Sequence, residues 1–222
     1  MNDSQNSVAR VPLVALLGLI VVVFLLQQVM LGVRERVVLE GNQFKWMVVA
    51  NQVISILLPV VLFIAVLRLR WKNSLGLFKP PWVKMLVAIA SGFVLIYAVN
   101  TILPTIIPPG PVYTEATSPI LAFVGVWGLL LTVFTISVVA PLADELLFRG
   151  LVLRVLLAKY GPVAAVLLVG TLTALFHTLE PFKLVHSFLM GVLFACAVVW
   201  TGSLWTSIAL HALHNSLAFL PQ

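Results

Sequence analysis

The sequence LAFVGVWGLLLTVFTISVVAPLADELLFRG, residues 121–150, places an apolar run long enough to cross a bilayer directly before three charged side chains. The run extends from Leu121 to Ala140, and Asp144, Glu145 and Arg149 follow it closely. A charged side chain at the centre of a spanning helix costs about 2.5–3.5 kcal/mol on insertion scales, so such residues usually line a site or a water-filled cavity. The stretch therefore predicts a membrane helix that carries a functional site.

The composition is that of a protein with several membrane spans. Of its 222 residues, 62% are apolar and only 9% are charged, whereas a soluble domain carries about 25% charged residues. So few polar residues do not cover a water-soluble surface, which excludes a soluble fold. The net charge of +6 comes from cations that lie mostly between apolar runs, so we expect no nucleic-acid partner. Cys196 is the only cysteine, so no intramolecular disulfide can form.

The distribution of apolar runs predicts an all-α fold, a polytopic transmembrane helical bundle with about seven to eight membrane helices. No small-residue cleavage site follows the first run, so we interpret it as a retained span rather than a signal peptide. The cations of residues 141–161 predict a helix that leaves the core toward the surface. We expect N-terminal scaffold helices over residues 1–118 and a helical core that carries the candidate chemistry over 119–222. The runs are 11–33, 46–67, 82–103, 119–140, 162–179, 184–201 and 203–220.

The cations between the runs predict an orientation. With the N-terminus in the cytoplasm, nine of the 13 Lys and Arg residues lie on the cytoplasmic side, which the positive-inside rule favours. We therefore expect an integral, multi-pass protein with a cytoplasmic N-terminus. As a separate expectation, its membrane is a prokaryotic inner or plasma membrane. The lipid bilayer is then one of its partners.

Polar side chains of the C-terminal part fall on three apolar segments. Glu145 and Arg149 are four residues apart and share a helix face, where they can form an ion pair. Asp144 is rotated by about 100° from Glu145, so the two acids cannot point the same way. The remaining candidates are His177 on a second segment and, four residues apart on one face of a third, His211 and Asn215.

Each of these groups also has a simpler structural interpretation. An intramembrane ion pair can serve only to fix a helix end, and a lone histidine near a helix end is more often structural than catalytic. We interpret His186 and His214, which lie outside the pattern, as structural. The convergence of an acid pair, a histidine and a His/Asn pair favours a functional site.

Together the groups supply what peptide-bond hydrolysis needs. A carboxylate beside an imidazole can take a proton from water and return it to the leaving amine. A second histidine and an asparagine can donate to the oxyanion, a role worth about 3–4 kcal/mol per donor in one soluble protease. No serine or cysteine shows a nucleophile signature, and the His-Glu-x-x-His segment of many zinc proteases is missing. We expect no cofactor, although His and carboxylate side chains could still bind zinc in another arrangement.

The segment Asp144-Glu145-Leu146-Leu147-Phe148-Arg149 resembles the Glu-Glu-x-x-x-Arg motif of the CAAX-protease and bacteriocin-processing (CPBP, or abortive-infection) family of intramembrane endopeptidases. His177 fits the Phe-x-x-x-His motif of this family, and the segment from His211 to Asn215 fits its His-x-x-x-Asn/Asp motif. Two positions differ from the family pattern. Asp144 is one methylene shorter than the usual Glu, and Thr173 stands where the second motif has Phe.

The resemblance implies a bundle of eight-helix type with a conical cavity open toward the cytosolic leaflet. Family members are often labelled metalloendopeptidases, although a glutamate-type, metal-independent mechanism is better supported. The implied substrate is a membrane protein or lipidated peptide: a prenylated C-terminal tail, a bacteriocin-type leader, or a transmembrane or sorting-signal segment. By position, the resemblance implies water activation by Asp144 and His177, oxyanion stabilisation by His211 and Asn215, and support of the site by Glu145 and Arg149.

Two other functions compete with hydrolysis. A non-catalytic immunity or scaffold protein that binds a hydrophobic partner is consistent with the shortened acid, Asp144. A small transporter would also place acids and histidines in membrane helices, but it predicts an inverted repeat that the sequence does not show. An intramembrane endopeptidase is the leading hypothesis.

Overall fold

A computed structural model of the protein describes residues 8–36, 41–110, 125–177 and 179–219. Within these ranges the chain forms helices and connecting turns and no strand, which confirms the predicted all-α class. A short 3-10 turn, Leu217–Phe219, follows the last helix. We number the helices α1 Leu13–Arg36, α2 Gly41–Val66, α3 Trp71–Leu75, α4 Trp82–Ile106, α5 Gly125–His177, α6 Pro181–Thr201 and α7 Leu204–Ser216.

Five of these helices, α1, α2, α4, α5 and α6, are long and apolar enough to cross a membrane. Their outer surfaces are apolar as well, since Val14 and Trp127 are each 81% exposed. An aqueous protein buries most such side chains, whereas lipid accepts them. The protein is therefore an integral membrane bundle, as its composition predicts.

Helix α5 is 53 residues long and bends sharply at Gly161. Gly161 has φ 77° and ψ 177°, a conformation that glycine adopts without a steric penalty, and Pro162 follows it. The bend divides α5 into two arms, which correspond to the fourth and fifth apolar runs. Residues 111–124 lie outside the described ranges, so the predicted domain boundary at 118/119 and the start of the fourth run fall there.

The predicted departure of residues 141–161 from the core is wrong for most of this segment. Leu147, Phe148, Leu151 and Leu153 are all buried, and only the last turn before Gly161 is exposed. The prediction failed because it counted cations without their partners. Arg149 is neutralised inside the bundle, so its charge does not force the helix outward.

Three segments within the helices adopt π geometry, with hydrogen bonds from residue i+5 to residue i. They are Val53–Leu57 in α2 and both Phe134–Val139 and Leu146–Val152 in α5. Single π turns are rare and often mark functional sites. Two of them flank Asp144 and Glu145 directly, so the acid pair lies in an irregular part of the helix.

Helices α5 and α6 pack closely because small residues meet at their crossing. A methyl group built on Gly191 would lie 2.9 Å from the Cα atom of Gly170, closer than real side chains come. Close approach at small residues is a common way for membrane helices to associate. Between α6 and α7, Gly202 has φ 74° and Ser203 caps α7 by accepting the Trp205 amide. This tight turn brings α7 back against α5.

Candidate functional site

A buried ion pair within α5 is also in contact with a histidine of α7. The Arg149 guanidinium donates to Oε1 of Glu145 at 3.1 Å, and Nδ1 of His211 lies 2.9 Å from the same oxygen. Glu145 is 0% exposed and Arg149 is 1% exposed. A buried charge persists only when it is paired and hydrogen-bonded, so the two groups depend on each other.

Arg149 also binds helix α6, which lines the site. Its second terminal nitrogen donates to the Gly191 carbonyl at 3.0 Å, and its guanidinium lies 5.5 Å from the centre of the Phe194 ring. The His211 ring stacks on the same phenylalanine, with ring centres 5.2 Å apart. One cation therefore connects the acid pair, the α6 backbone and the imidazole of α7.

Next to this pair lies a cleft of about 50 Å³, which is room for a few water molecules. Asp144 is half-buried and lines the cleft, whereas Glu145 is fully buried and does not line it. The two adjacent acids therefore point different ways, as the helical rotation between them predicts. The cleft brings together five of the six predicted site residues, namely Asp144, Arg149, His177, His211 and Asn215.

The bend of α5 explains how one helix can supply two walls of the cleft. Asp144 and His177 are separated from Gly161 by nearly equal lengths of chain, one before the bend and one after it. Each length is roughly 25 Å of helix at 1.5 Å per residue. Reversal of the chain at Gly161 therefore returns His177 to the level of Asp144.

The tautomer of His177 follows from its hydrogen bond. Nδ1 lies 2.7 Å from the Thr173 carbonyl oxygen, which can only accept, so Nδ1 carries the hydrogen. In the neutral ring Nε2 then has the free lone pair, which is the form that a general base needs. Thr173, where the family motif has Phe, is buried, lines the cleft and bonds through its hydroxyl to the Val169 carbonyl.

Asn215 is fixed by the other arm of α5. Its side-chain amide donates to the Ile136 carbonyl at 2.7 Å, within the π segment Phe134–Val139. One residue further along each of the two helices, the hydroxyls of Ser137 and Ser216 lie 3.0 Å apart. The C-terminal end of α7 is thereby joined to α5 at two successive positions.

The cleft also contains residues that the sequence interpretation did not place there. His186, interpreted as structural, contacts Asn100 of α4 at 2.9 Å, and its ring lies 5.1 Å from that of His214. The N-terminal part therefore contributes a polar contact to the wall. The sequence signal that could have found these residues is their spacing of three to four along α6, which places them on one helix face. They are Lys183, His186, Ser187, Met190 and Phe194.

The described side chains do not form a metal-binding group. Among the described residues, no three His, Cys, Asp or Glu side chains form a group that could hold a metal ion. The metalloendopeptidase label of the family therefore has no matching ligand set in this part of the chain.

Comparison with known proteins supports the motif-based resemblance. Residues 126–217 match the family model described as "Type II CAAX prenyl endopeptidase Rce1-like". The match covers less than half of the chain, but it includes the cleft and all six predicted site residues. No curated protein and no solved structure gives a match.

Proposed function

We propose that this protein, a member of the CAAX-protease family by its residues 126–217, is an intramembrane endopeptidase that uses Asp144 and His177 to activate water. The observation that carries the proposal is the shared cleft. Asp144 and His177 from the two arms of α5 line it together with His211 and Asn215 of α7. The range of the family match includes all four of these residues.

Asp144 and His177 provide the two functions that water attack requires. The free Nε2 of His177 accepts a proton from water, and the Asp144 carboxylate orients the water and balances the developing imidazolium charge. Oxygen from water then bonds to the scissile carbonyl carbon. The carbon–nitrogen bond breaks, and the proton passes to the leaving amine, so that one water is consumed for each peptide bond.

His211 and Asn215 are suited to stabilise the negative charge on the carbonyl oxygen. One amide hydrogen of Asn215 is bound to the Ile136 carbonyl, which leaves the second for the cleft. When His211 carries a proton on both nitrogens, Nε2 can donate to the oxyanion while Nδ1 keeps its bond to Glu145. Such preorganised donors provide a large part of the rate enhancement in acyl transfer.

Glu145 and Arg149 act on the site through other residues. Glu145 orients the His211 ring, and Arg149 neutralises Glu145 and holds α6 at Gly191. The ion pair thus has the structural role of fixing a helix. It also positions the imidazole of His211.

The proposed substrate is a membrane-associated or lipidated peptide, either a prenylated C-terminal tail, a leader peptide or a membrane segment. The support is the prenyl endopeptidase description of the matching family and the location of the cleft among apolar helices. We further propose that 119–222 form the catalytic core on a scaffold of 1–118, in a prokaryotic plasma membrane with a cytoplasmic N-terminus.

A comparison of protein termini tests the proposal. Membranes from cells that produce the wild type, His177→Ala or Thr171→Ala at equal levels are analysed by mass spectrometry for new N- and C-termini. Thr171 is exposed on the same arm of α5 and outside the cleft, so its substitution is the matched control. We expect new termini in the wild type and the control that are missing in His177→Ala. Identical termini in all three, with each variant folded, would favour a non-catalytic binding role.

A further inference from the structure

The hydrogen-bond ladder of α5 is interrupted just before the acid pair. Within the π segment Phe134–Val139, the Ala140 amide donates to the Thr135 carbonyl, five residues back. The next possible donor is residue 141, which is proline and has no N–H. The Ile136 carbonyl is therefore bypassed by Ala140 and receives nothing from residue 141. In a regular α-helix, Ala140 would have been its partner.

Asn215 supplies the missing donor. Its side-chain nitrogen lies 2.7 Å from the Ile136 oxygen, 79 residues away along the chain. A carbonyl that lacks its helical partner inside a membrane bundle costs free energy, because the apolar surroundings offer it no other donor. The bypassed carbonyl therefore holds the asparagine firmly and fixes the plane of its carboxamide.

We infer that Pro141 is a positioning residue for Asn215. By withholding an N–H, Pro141 keeps the Ile136 carbonyl open, so one amide hydrogen of Asn215 binds there and the other remains for the oxyanion. The inference rests on the proposed function of Asn215. It assigns to a residue without polar side-chain atoms a part in building the oxyanion site.

A second proline in the chain provides a matched control. In α2 the Leu58 amide donates to the Val53 carbonyl across the π segment Val53–Leu57, and Pro59 follows, so the local arrangement is the same. Within the described residues no side chain donates to the Ile54 carbonyl, the equivalent of Ile136, and α2 does not line the cleft. Pro59→Ala thus repeats the local change without the asparagine.

Pro141→Ala should lower kcat without a comparable change in KM. Alanine is accommodated in the first turn of the segment Ala140–Glu145, and its N–H competes with Asn215 for the Ile136 carbonyl. A displaced carboxamide loses mainly its interaction in the transition state, so we expect kcat to fall by roughly tenfold to a hundredfold. Pro59→Ala should leave both constants unchanged.

A double-mutant cycle decides whether Pro141 acts through Asn215. Wild type, Pro141→Ala, Asn215→Ala and the double variant are purified in lipid, and cleavage rates and thermal unfolding midpoints are measured. In the Asn215→Ala background we expect Pro141→Ala to cause no further loss of kcat. It should also raise the unfolding midpoint there, because its N–H now satisfies the carbonyl that Asn215→Ala left unpaired.

Additive effects on both kcat and the midpoint would overturn the inference, as would a Pro141→Ala enzyme with wild-type kcat. The midpoints do not depend on catalysis, so they separate this inference from the proposed function. If the wild type cleaves nothing, the proposed function fails, while coupled midpoints would still establish that Pro141 directs Asn215 to Ile136.

Discussion

Nδ1 of His211 lies 2.9 Å from Oε1 of Glu145, the same oxygen that accepts from Arg149 at 3.1 Å. A single carboxylate oxygen thus fixes an imidazole on α7 and neutralises a cation on its own helix. Both partners of the carboxylate are largely buried, so loss of either bond leaves a poorly solvated polar group. This arrangement connects the stability of the bundle to the geometry of the cleft, and the two consequences can be separated experimentally.

Glu145→Gln should destabilise the protein and abolish activity. The change is nearly isosteric, but it leaves the Arg149 cation buried without a counter-charge, which costs about 3–5 kcal/mol. The free energy of unfolding, measured in detergent with denaturant, gives the first effect. The double variant Glu145→Leu/Arg149→Leu should recover much of the stability, because it removes both charges, yet remain inactive because His211 has lost its orienting partner. Activity in a stable double variant would contradict the positioning role of Glu145.

Gly191→Ala should destabilise the protein by about 1–3 kcal/mol. The added methyl would meet the α5 backbone at Gly170, 2.9 Å away, and would push apart the two helices whose contact keeps the Gly191 carbonyl on Arg149. Gly32→Ala in α1 is the control, since no atom of the described residues lies within 4 Å of a methyl group at that position. Equal thermal unfolding midpoints for the two variants would show that the α5–α6 crossing is not tightly packed.

Thr173→Phe restores the family motif but should reduce both stability and activity in this chain. Thr173 is buried, and its Cβ atom lies 3.2 Å from the position of a methyl on Gly191, so a ring does not fit without moving α6. Overpacking of this kind costs about 1–3 kcal/mol. Thr171→Phe, on an exposed position of the same arm, should change the unfolding free energy by less than about 0.5 kcal/mol. A stable, fully active Thr173→Phe variant would show that the site retains space for the motif residue.

Asp144→Glu should retain activity within about tenfold of the wild type, since the cleft has space for one methylene and the carboxylate is preserved. Initial cleavage rates with the substrate identified from the termini give the comparison. A loss of about 10²- to 10⁴-fold, as expected when the carboxylate is removed by Asp144→Asn, would mean that the site is fitted to the shorter acid. That outcome would be evidence that Asp144, in place of the Glu of the family motif, is itself required for activity.

Much of the site follows from local sequence spacing. The Glu145–Arg149 pair and the divergence of Asp144 from Glu145 are properties of a single helix, so helical periodicity predicts both. The contact between His211 and Glu145 joins residues 66 apart and depends on how α7 packs, which periodicity does not determine.

The π segments and their consequences could not be predicted in the same way. A π turn differs from an α turn by one inserted residue, and the apolar residues of 134–139 carry no pattern that reveals it. The same holds for the Gly191 carbonyl, a backbone group that no side-chain motif marks. Burial of residues 147–153 was missed because the sequence shows charges but not the partners that neutralise them.

In the proposed mechanism, Asp144 activates water for peptide-bond hydrolysis. The most direct measurement compares the wild type with Asp144→Asn, reconstituted in lipid with the identified substrate in water enriched in oxygen-18. We expect the wild-type product to carry the label in its new C-terminal carboxyl group. We also expect Asp144→Asn, while folded, to cleave about 10²- to 10⁴-fold more slowly. Equal rates for the two proteins, or a new terminus without label, would contradict this mechanism.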